Sequence, residues 1–209
     1  SALNLYNTNA HLNQMTISHN TGDGVTIKDC APDLTDIKVS HNTGIGLGIH
    51  NDYNVPYTPD LTNIEISHNG GDGLSLLRFA NPIITNVMIN DNLGQGIFSH
   101  TSNPILHYVA ITNNEGTGMY LYHSDPELNN VTISGNLASS HGLYENDNLH
   151  GGGMYLASSD PKLNNTIIWG NSPESFNFSL YPPDIDNTPI ITYSNIEGDT
   201  TWTGEGNID

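Results

Sequence analysis

The chain has 209 residues, enough for one sizeable core, and sets 22 acidic side chains against four basic ones, for a formal net charge of -18. Such a charge repels phosphate backbones and anionic bilayers, which argues against nucleic acid and makes lipid surfaces poor partners. The single cysteine, Cys30, excludes a disulfide scaffold, and no apolar run approaches the roughly 18 residues of a membrane span.

In chain order the sequence is a repeat. The first unit opens at Leu12, with Met15 and Ile17 three and five residues on, Asn20 eight on, and Gly22 and Gly24 ten and twelve on. The alternating pair Val25 and Ile27 follows. The second unit repeats this with Leu34, Ile37, Val39, Asn42, Leu47 and Ile49, then inserts a loop from Asn51 to Thr58. Leu61, Ile64, Ile66, Asn69, Leu74 and Leu76 form the third. The fourth has Ile84, Val87, Ile89 and Asn92, and the fifth has Leu106, Val109, Ile111, Asn114, Met119 and Leu121. The sixth runs through Leu128, Val131, Ile133 and Asn136, takes a second insertion from Ala138 to His150, and resumes at Met154 and Leu156. The seventh has Leu163, Ile168 and Asn171, with Thr166 where an aliphatic residue stood before. The anchors are 22, 27, 23, 22, 22 and 35 residues apart, so the unit is about 22 residues long. Repeats cover 12–171 of a single domain spanning 1–209, and a less regular C-terminal cap is expected over 172–209, centred on Pro189 to Ile196.

Two solenoids compete for this pattern. "LTDIKVSHN", from Leu34 to Asn42, fits the opening of a leucine-rich repeat. That repeat needs a leucine two places after the asparagine, where this chain has glycine, and the following segment alternates with period two. Prolines then close most units. Short strands punctuated by Gly and Pro predict an all-β, right-handed parallel β-helix. Its asparagines stack into a ladder at a ~4.8 Å rise, and Asn and Gly are expected to supply the left-handed backbone of the corners.

"SDPELNNVTISGN" (Ser124 to Asn136) and "GGGMYLASSDPKLNNTIIWGN" (Gly151 to Asn171) resemble repeats of the pectate-lyase-like superfamily of right-handed parallel β-helices. In style they are similar to bacterial surface repeats of the polymorphic outer-membrane and adhesin type. The resemblance implies a secreted or cell-surface protein, and the tail from Pro189 to Asp209 resembles a segment within larger exported proteins. This superfamily includes lyases, hydrolases, epimerases, binders and passengers, so the fold alone does not choose a function.

The chemistries of that superfamily leave recognisable residues. A polysaccharide lyase needs a Lys or Arg base beside carboxylates, and Lys28 and Arg78, with Asp29 and Asp52 near, are the candidates. The Arg-x-Lys of galacturonan hydrolases is absent. "HSDPEL" (His123 to Leu128) is similar to an epimerase acidic motif, but "SSDPKL" repeats its Asp-Pro at the same place in the next unit, which marks a corner. Asp23 and Asp72 share a column two turns apart and lack a converging third group. No catalytic set is therefore assigned. His19, His41 and His68 form a column suited to stacking at a solvated corner, with a zinc ion shared between adjacent imidazoles as the alternative. Asp33, Asp36, Asp60 and Glu65 cluster on adjacent turns and are weak candidates for calcium, and no cofactor is required.

Strand alternation places one further set outward. Phe98 and His100, Tyr120 and Tyr122, and Tyr155 follow His50 and Arg78 along one face, between the two inserted loops. Aromatic rings offer sugars an apolar platform with a polar tip. His50, Arg78, Phe98, His100, Tyr120, Tyr122 and Tyr155 therefore form the candidate groove. The leading expectation is a non-catalytic, adhesive module binding a polysaccharide or cell-surface glycan. A lyase or hydrolase acting on an acidic glycan is the alternative from the enzyme class, and a structural stalk the alternative without a ligand.

Overall fold

The computed structural model describes residues 1–52, 55–138, 151–178, 187–198, 202 and 204–208. It is a parallel β-helix whose turns stack two sheets. The first sheet is built from short strands: β1 (Leu3–Tyr6), β3 (Val25–Lys28), β5 (Leu47–His50), β7 (Leu74–Leu77), β9 (Ile97–His100), β11 (Met119–Tyr122), β13 (Met154–Ala157) and β16 (Phe176–Phe178), in that order. The second runs through longer strands: β2 (His11–Ser18), β4 (Asp33–Ser40), β6 (Asp60–Ser67), β8 (Ile83–Asn90), β10 (Ile105–Thr112) and β12 (Glu127–Ser134). It ends in split strands: β14 (Lys162–Asn164) with β15 (Ile167–Trp169), then β17 (Ile190–Thr192) with β18 (Asn195–Ile196). Residues near Pro189 to Ile196, expected as a less regular cap, thus add one more rung in register.

Why anchor, three beyond and five beyond all face inward is a matter of backbone geometry. Simple alternation would bury zero, two and four. The residue two beyond each anchor is left-handed: Gln14, Asp36, Asn63, Asn86, Tyr108, Asn130 and Asn165 all have φ near 50 to 60°. That bend resets the alternation, so Leu34, Ile37 and Val39 are 1%, 3% and 0% exposed. The same columns hold from turn to turn, as Leu34 pairs with Leu61, Ile37 with Ile64 and Val39 with Ile66. Val25, Ile27, Leu47, Ile49, Leu74 and Leu76 close the core from the short strands, each fully buried. Each such side chain contributes roughly 1.5–3 kcal/mol on leaving water.

A second left-handed column explains the repeated His-Asn pair. His19, His41, His68, Asp91 and Asn113 occupy it, followed by Gly135 and Gly170. The corner therefore turns on the residue before each asparagine, which corrects the expectation that the asparagines themselves adopt this conformation. His, Asn and Asp are the side-chain-bearing residues that tolerate it best. The rings of His19, His41 and His68 stack 4.9 Å apart and only 4° from parallel. The asparagine one place on points inward and builds the ladder: Asn20 Nδ2 donates to Asn42 Oδ1, and so on through Asn69, Asn92, Asn114 and Asn136 to Asn171, at 2.8–3.0 Å.

The glycines also need a different explanation from left-handed turns. Of those ten and twelve beyond the anchors only Gly22 has a positive φ. At Gly96 a Cβ would stand 2.4 Å from Ile111 Cγ2 and 2.6 Å from the Gly118 oxygen. Glycine is required there because two turns approach too closely for any side chain.

Candidate functional site

The third left-handed column lies where the short strands end. It contains Asn7, Asp29, Arg78, Thr101, His123 and Ser158, and it forms one edge of the outer face of the short-strand sheet. On that face one column runs Thr26, Gly48, Ser75, Phe98, Tyr120 and Tyr155, and its neighbour runs Lys28, His50, Leu77, His100, Tyr122 and Ala157. Strand register therefore brings together the aromatic residues that alternation placed outward.

Their rings touch across turns. Phe98 and Tyr120 lie 5.4 Å apart and tilted by 36°, and Tyr120 and Tyr155 are 4.8 Å apart. His100 meets Tyr122 edge-on at 4.9 Å, and Tyr122 meets His123 edge-on at 4.3 Å. Phe98, His100 and Tyr120 are half-buried and Tyr122 is exposed. Tyr155 departs from expectation. It points away from the core yet is only 3% exposed, stacked on Tyr120 with the β16 rung on its other side. It supports the strip rather than facing solvent. The loop from Asn51 to Thr58 rejoins the body at Tyr57, whose N–H donates to the Phe79 oxygen at 3.3 Å, at the edge where Arg78 stands. Of the second loop, residues 139–150 lie outside the described residues.

The charged groups of this face divide in two. Towards the N-terminus, Lys28 Nζ lies 2.6 Å from Asp52 Oδ2 and His50 Nε2 lies 3.3 Å from Asp52 Oδ1. The Asp52 hydrogen bond raises the Lys28 pKa, and Lys28 lowers that of Asp52. A lysine held more firmly protonated is a poor general base. Further along, burial lowers the His100 pKa, and the neighbouring His123 and Arg78 lower it further. His123 and Phe79 were not singled out from the sequence. Counting seventeen and eighteen residues from their anchors places them on the same edge as Arg78.

Other candidates have structural partners. Asp23 Oδ1 accepts the Ile45 N–H at 2.9 Å and Asp72 Oδ1 the Gln95 N–H at 2.8 Å, so each aspartate caps the turn that follows its own. Asp125 Oδ1 accepts the Asp160 N–H at 2.7 Å, in keeping with the Asp-Pro corner. Among the calcium candidates, Asp33 pairs with His11 at 2.7 Å and Asp36 accepts from Asn63 at 3.0 Å. Glu65 pairs with Lys38 at 2.7 Å and accepts from Ser67 at 2.9 Å, while Asp60 lies in register with Asp33. Among the described residues, no three His, Cys, Asp or Glu side chains are placed to share a metal ion. A serine ladder went unnoticed in the sequence: Ser124 Oγ accepts the Ser102 N–H at 3.2 Å, and Ser159 Oγ the Ser124 N–H at 3.0 Å.

The family described as a right-handed β-helix region matches residues 1–168. The chain belongs to that family. No curated protein matches it. Among solved structures it is similar to the periplasmic alginate epimerase AlgG, in a double-mutant form, at 12% identity and a TM-score of 0.54, over 99% of this chain and 43% of that one. It is also similar to the A-module of the Azotobacter vinelandii mannuronan C-5 epimerase AlgE6, at 14% identity and a TM-score of 0.49, over 99% of this chain and 58% of that one. This chain spans less than two thirds of either, and likeness at these identities establishes fold alone.

Proposed function

We propose that the chain is a non-catalytic carbohydrate-binding module of an exported or cell-surface protein, with the ligand lying along the outer face of the short-strand sheet. The observation that carries this reading is the run of touching rings from Phe98 to Tyr120 and from His100 to Tyr122 on that face. Aromatic side chains bury sugar faces at little conformational cost, and a tyrosine hydroxyl adds a hydrogen bond. A rigid sheet holds the platform in place before the ligand arrives, which reduces the ordering cost of binding.

A second reading, a polysaccharide-modifying enzyme, is favoured by one observation. His100 is kept short of protons beside Tyr122, with Arg78 and His123 close by, and a neutral imidazole near a phenol is a proton-transfer pair. A glycan array with and without calcium, followed by incubation of the bound glycans and assay for unsaturated or epimerised product, separates the two. Binding without turnover supports the module. Turnover supports the enzyme, and absence of binding under both conditions removes both.

A further inference from the structure

Three of the four basic side chains are neutralised by carboxylates: Lys28 with Asp52 at 2.6 Å, Lys38 with Glu65 at 2.7 Å and Lys162 with Glu127 at 2.8 Å. Arg78 has no direct ion pair among the described residues; the Asp52 carboxyl feels its charge, but that group is engaged by Lys28 at 2.6 Å and His50 at 3.3 Å. It is exposed, and it stands at the edge of the aromatic strip.

The backbone at this point is unusual as well. Arg78 and Phe79 are both left-handed, with φ of 56 and 62°, and no other two consecutive non-glycine residues among those described share that conformation. Such a conformation is unfavourable for a residue with a side chain and persists only where its surroundings enforce it. Here the next turn does so: the Arg78 N–H donates to the His100 oxygen at 3.0 Å and the Phe79 N–H to the Thr101 oxygen at 2.6 Å. The outcome is that Arg78 and Phe79 both face solvent beside His100.

The His100 and His123 rings both meet the Tyr122 ring at steep angles, with centroids 4.9 and 4.3 Å away. His100 also feels the charges of both Arg78 and His123. Groups that carry or acquire positive charge are mutually unfavourable at such range unless an anion lies between them. The protein as a whole bears -18, which opposes a densely charged polyanion. At physiological salt that opposition is screened beyond about 8 Å. One isolated anionic group arriving here meets the Arg78 guanidinium, with the His100 and His123 rings beside it as N–H donors. A chain with a charge on every sugar would lay its remaining charges along an acidic body.

We propose that Arg78, His100 and His123 form a notch that receives a single carboxylate or sulfate ester, carried by an otherwise neutral glycan whose sugar rings lie on Phe98, Tyr120 and Tyr122. This rests on the carbohydrate-binding reading above. The planar guanidinium fork suits either anion.

The test uses β-glucan, β-mannan and β-galactan hexasaccharides, each in neutral form, with one terminal uronic acid, with one 6-sulfate, and with every sugar carboxylated. The singly charged members should bind about tenfold more tightly than their neutral parents, a difference of roughly 1.4 kcal/mol, and the fully carboxylated ones no better than neutral. Which of the two singly charged forms leads identifies the anion. Arg78→Asn, which keeps a residue tolerant of left-handed backbone, should bring the leading form level with its parent. Neutral and singly charged forms binding equally, or a preference that survives Arg78→Asn, overturns the notch and leaves the aromatic strip standing. Failure of every hexasaccharide to bind overturns both.

Discussion

Asn92 Oδ1 accepts two hydrogen bonds from Asn69, one from its backbone N–H and one from Nδ2, both at 3.0 Å. Asn92 Nδ2 in turn donates to the Ile66 oxygen at 3.1 Å and to Asn114 Oδ1 at 3.0 Å. Both asparagines are completely buried, so water cannot replace a lost partner. Asn92→Leu removes these bonds and orphans groups on two neighbouring turns, each orphan costing about 1–3 kcal/mol. Urea unfolding should show a loss of several kcal/mol with little change in the denaturant slope. A loss under about 1 kcal/mol would mean that the ladder is not a main source of stability.

Gly96 gives a steric counterpart. Its missing Cβ leaves room for Ile111, the Gly118 oxygen and Asn114 Nδ2, which would stand 2.4, 2.6 and 3.0 Å away. Gly96→Ala should cost at least the ~1–3 kcal/mol typical of overpacking, whereas Gly170→Ala meets no atom within 4 Å and suffers only from its positive φ. Thermal unfolding of the two variants should rank Gly96→Ala as the more damaging.

Asp72 has a pKa raised by burial, against the lowering effect of the Gln95 N–H. A raised carboxyl binds more protons folded than unfolded between its ordinary value of 3.8 and its folded value, so stability falls as pH rises through that window. Asp72→Asn keeps an Oδ1 acceptor for Gln95 and discards the charge. The variant should be more stable than the parent at pH 7, with the advantage vanishing below the unfolded pKa. An advantage that persists unchanged in acid would contradict the desolvation account.

His100 has the opposite linkage. Its folded pKa lies below the ordinary histidine value of 6.5, first through burial and then through His123 and Arg78. The unfolded chain takes up this proton first, so the stability tied to neutral His100 is complete above 6.5 and is lost as pH falls through the folded value. His100→Gln should flatten the fall in melting temperature between neutral and mildly acidic pH. An unchanged slope would show that His100 is not held in its neutral form.

Much of this was legible in the sequence. Inward positions announced themselves because every turn must bury the same columns, so Ile17, Val39, Ile66, Ile89, Ile111, Ile133 and Ile168 recur at one offset. The three left-handed columns did not, because one backbone conformation is satisfied by Gln14, Asp36 and Tyr108 alike. Turn type there is set by stacking on the next rung, which leaves a weak local signal. The outward columns were readable for Phe98, Tyr120 and Tyr122, but alternation says only which way a side chain leaves the sheet. It cannot say what covers it, and Tyr155 left outward into a buried place. Arg78 was named from its charge. Its unpaired state and its strained neighbour Phe79 depended on partners a turn away.

The most direct measurement is the affinity of Tyr120→Ala and Tyr122→Ala for whichever glycan the wild-type chain retains, read beside their melting temperatures. Tyr122 is 39% exposed and Tyr120 half-buried, so at least the Tyr122 variant should fold with little loss. Affinity should fall about tenfold or more, roughly 1.4 kcal/mol, with melting of Tyr122→Ala nearly unchanged. Wild-type affinity in a folded Tyr122→Ala protein and a folded Tyr120→Ala protein would contradict the carbohydrate-binding reading.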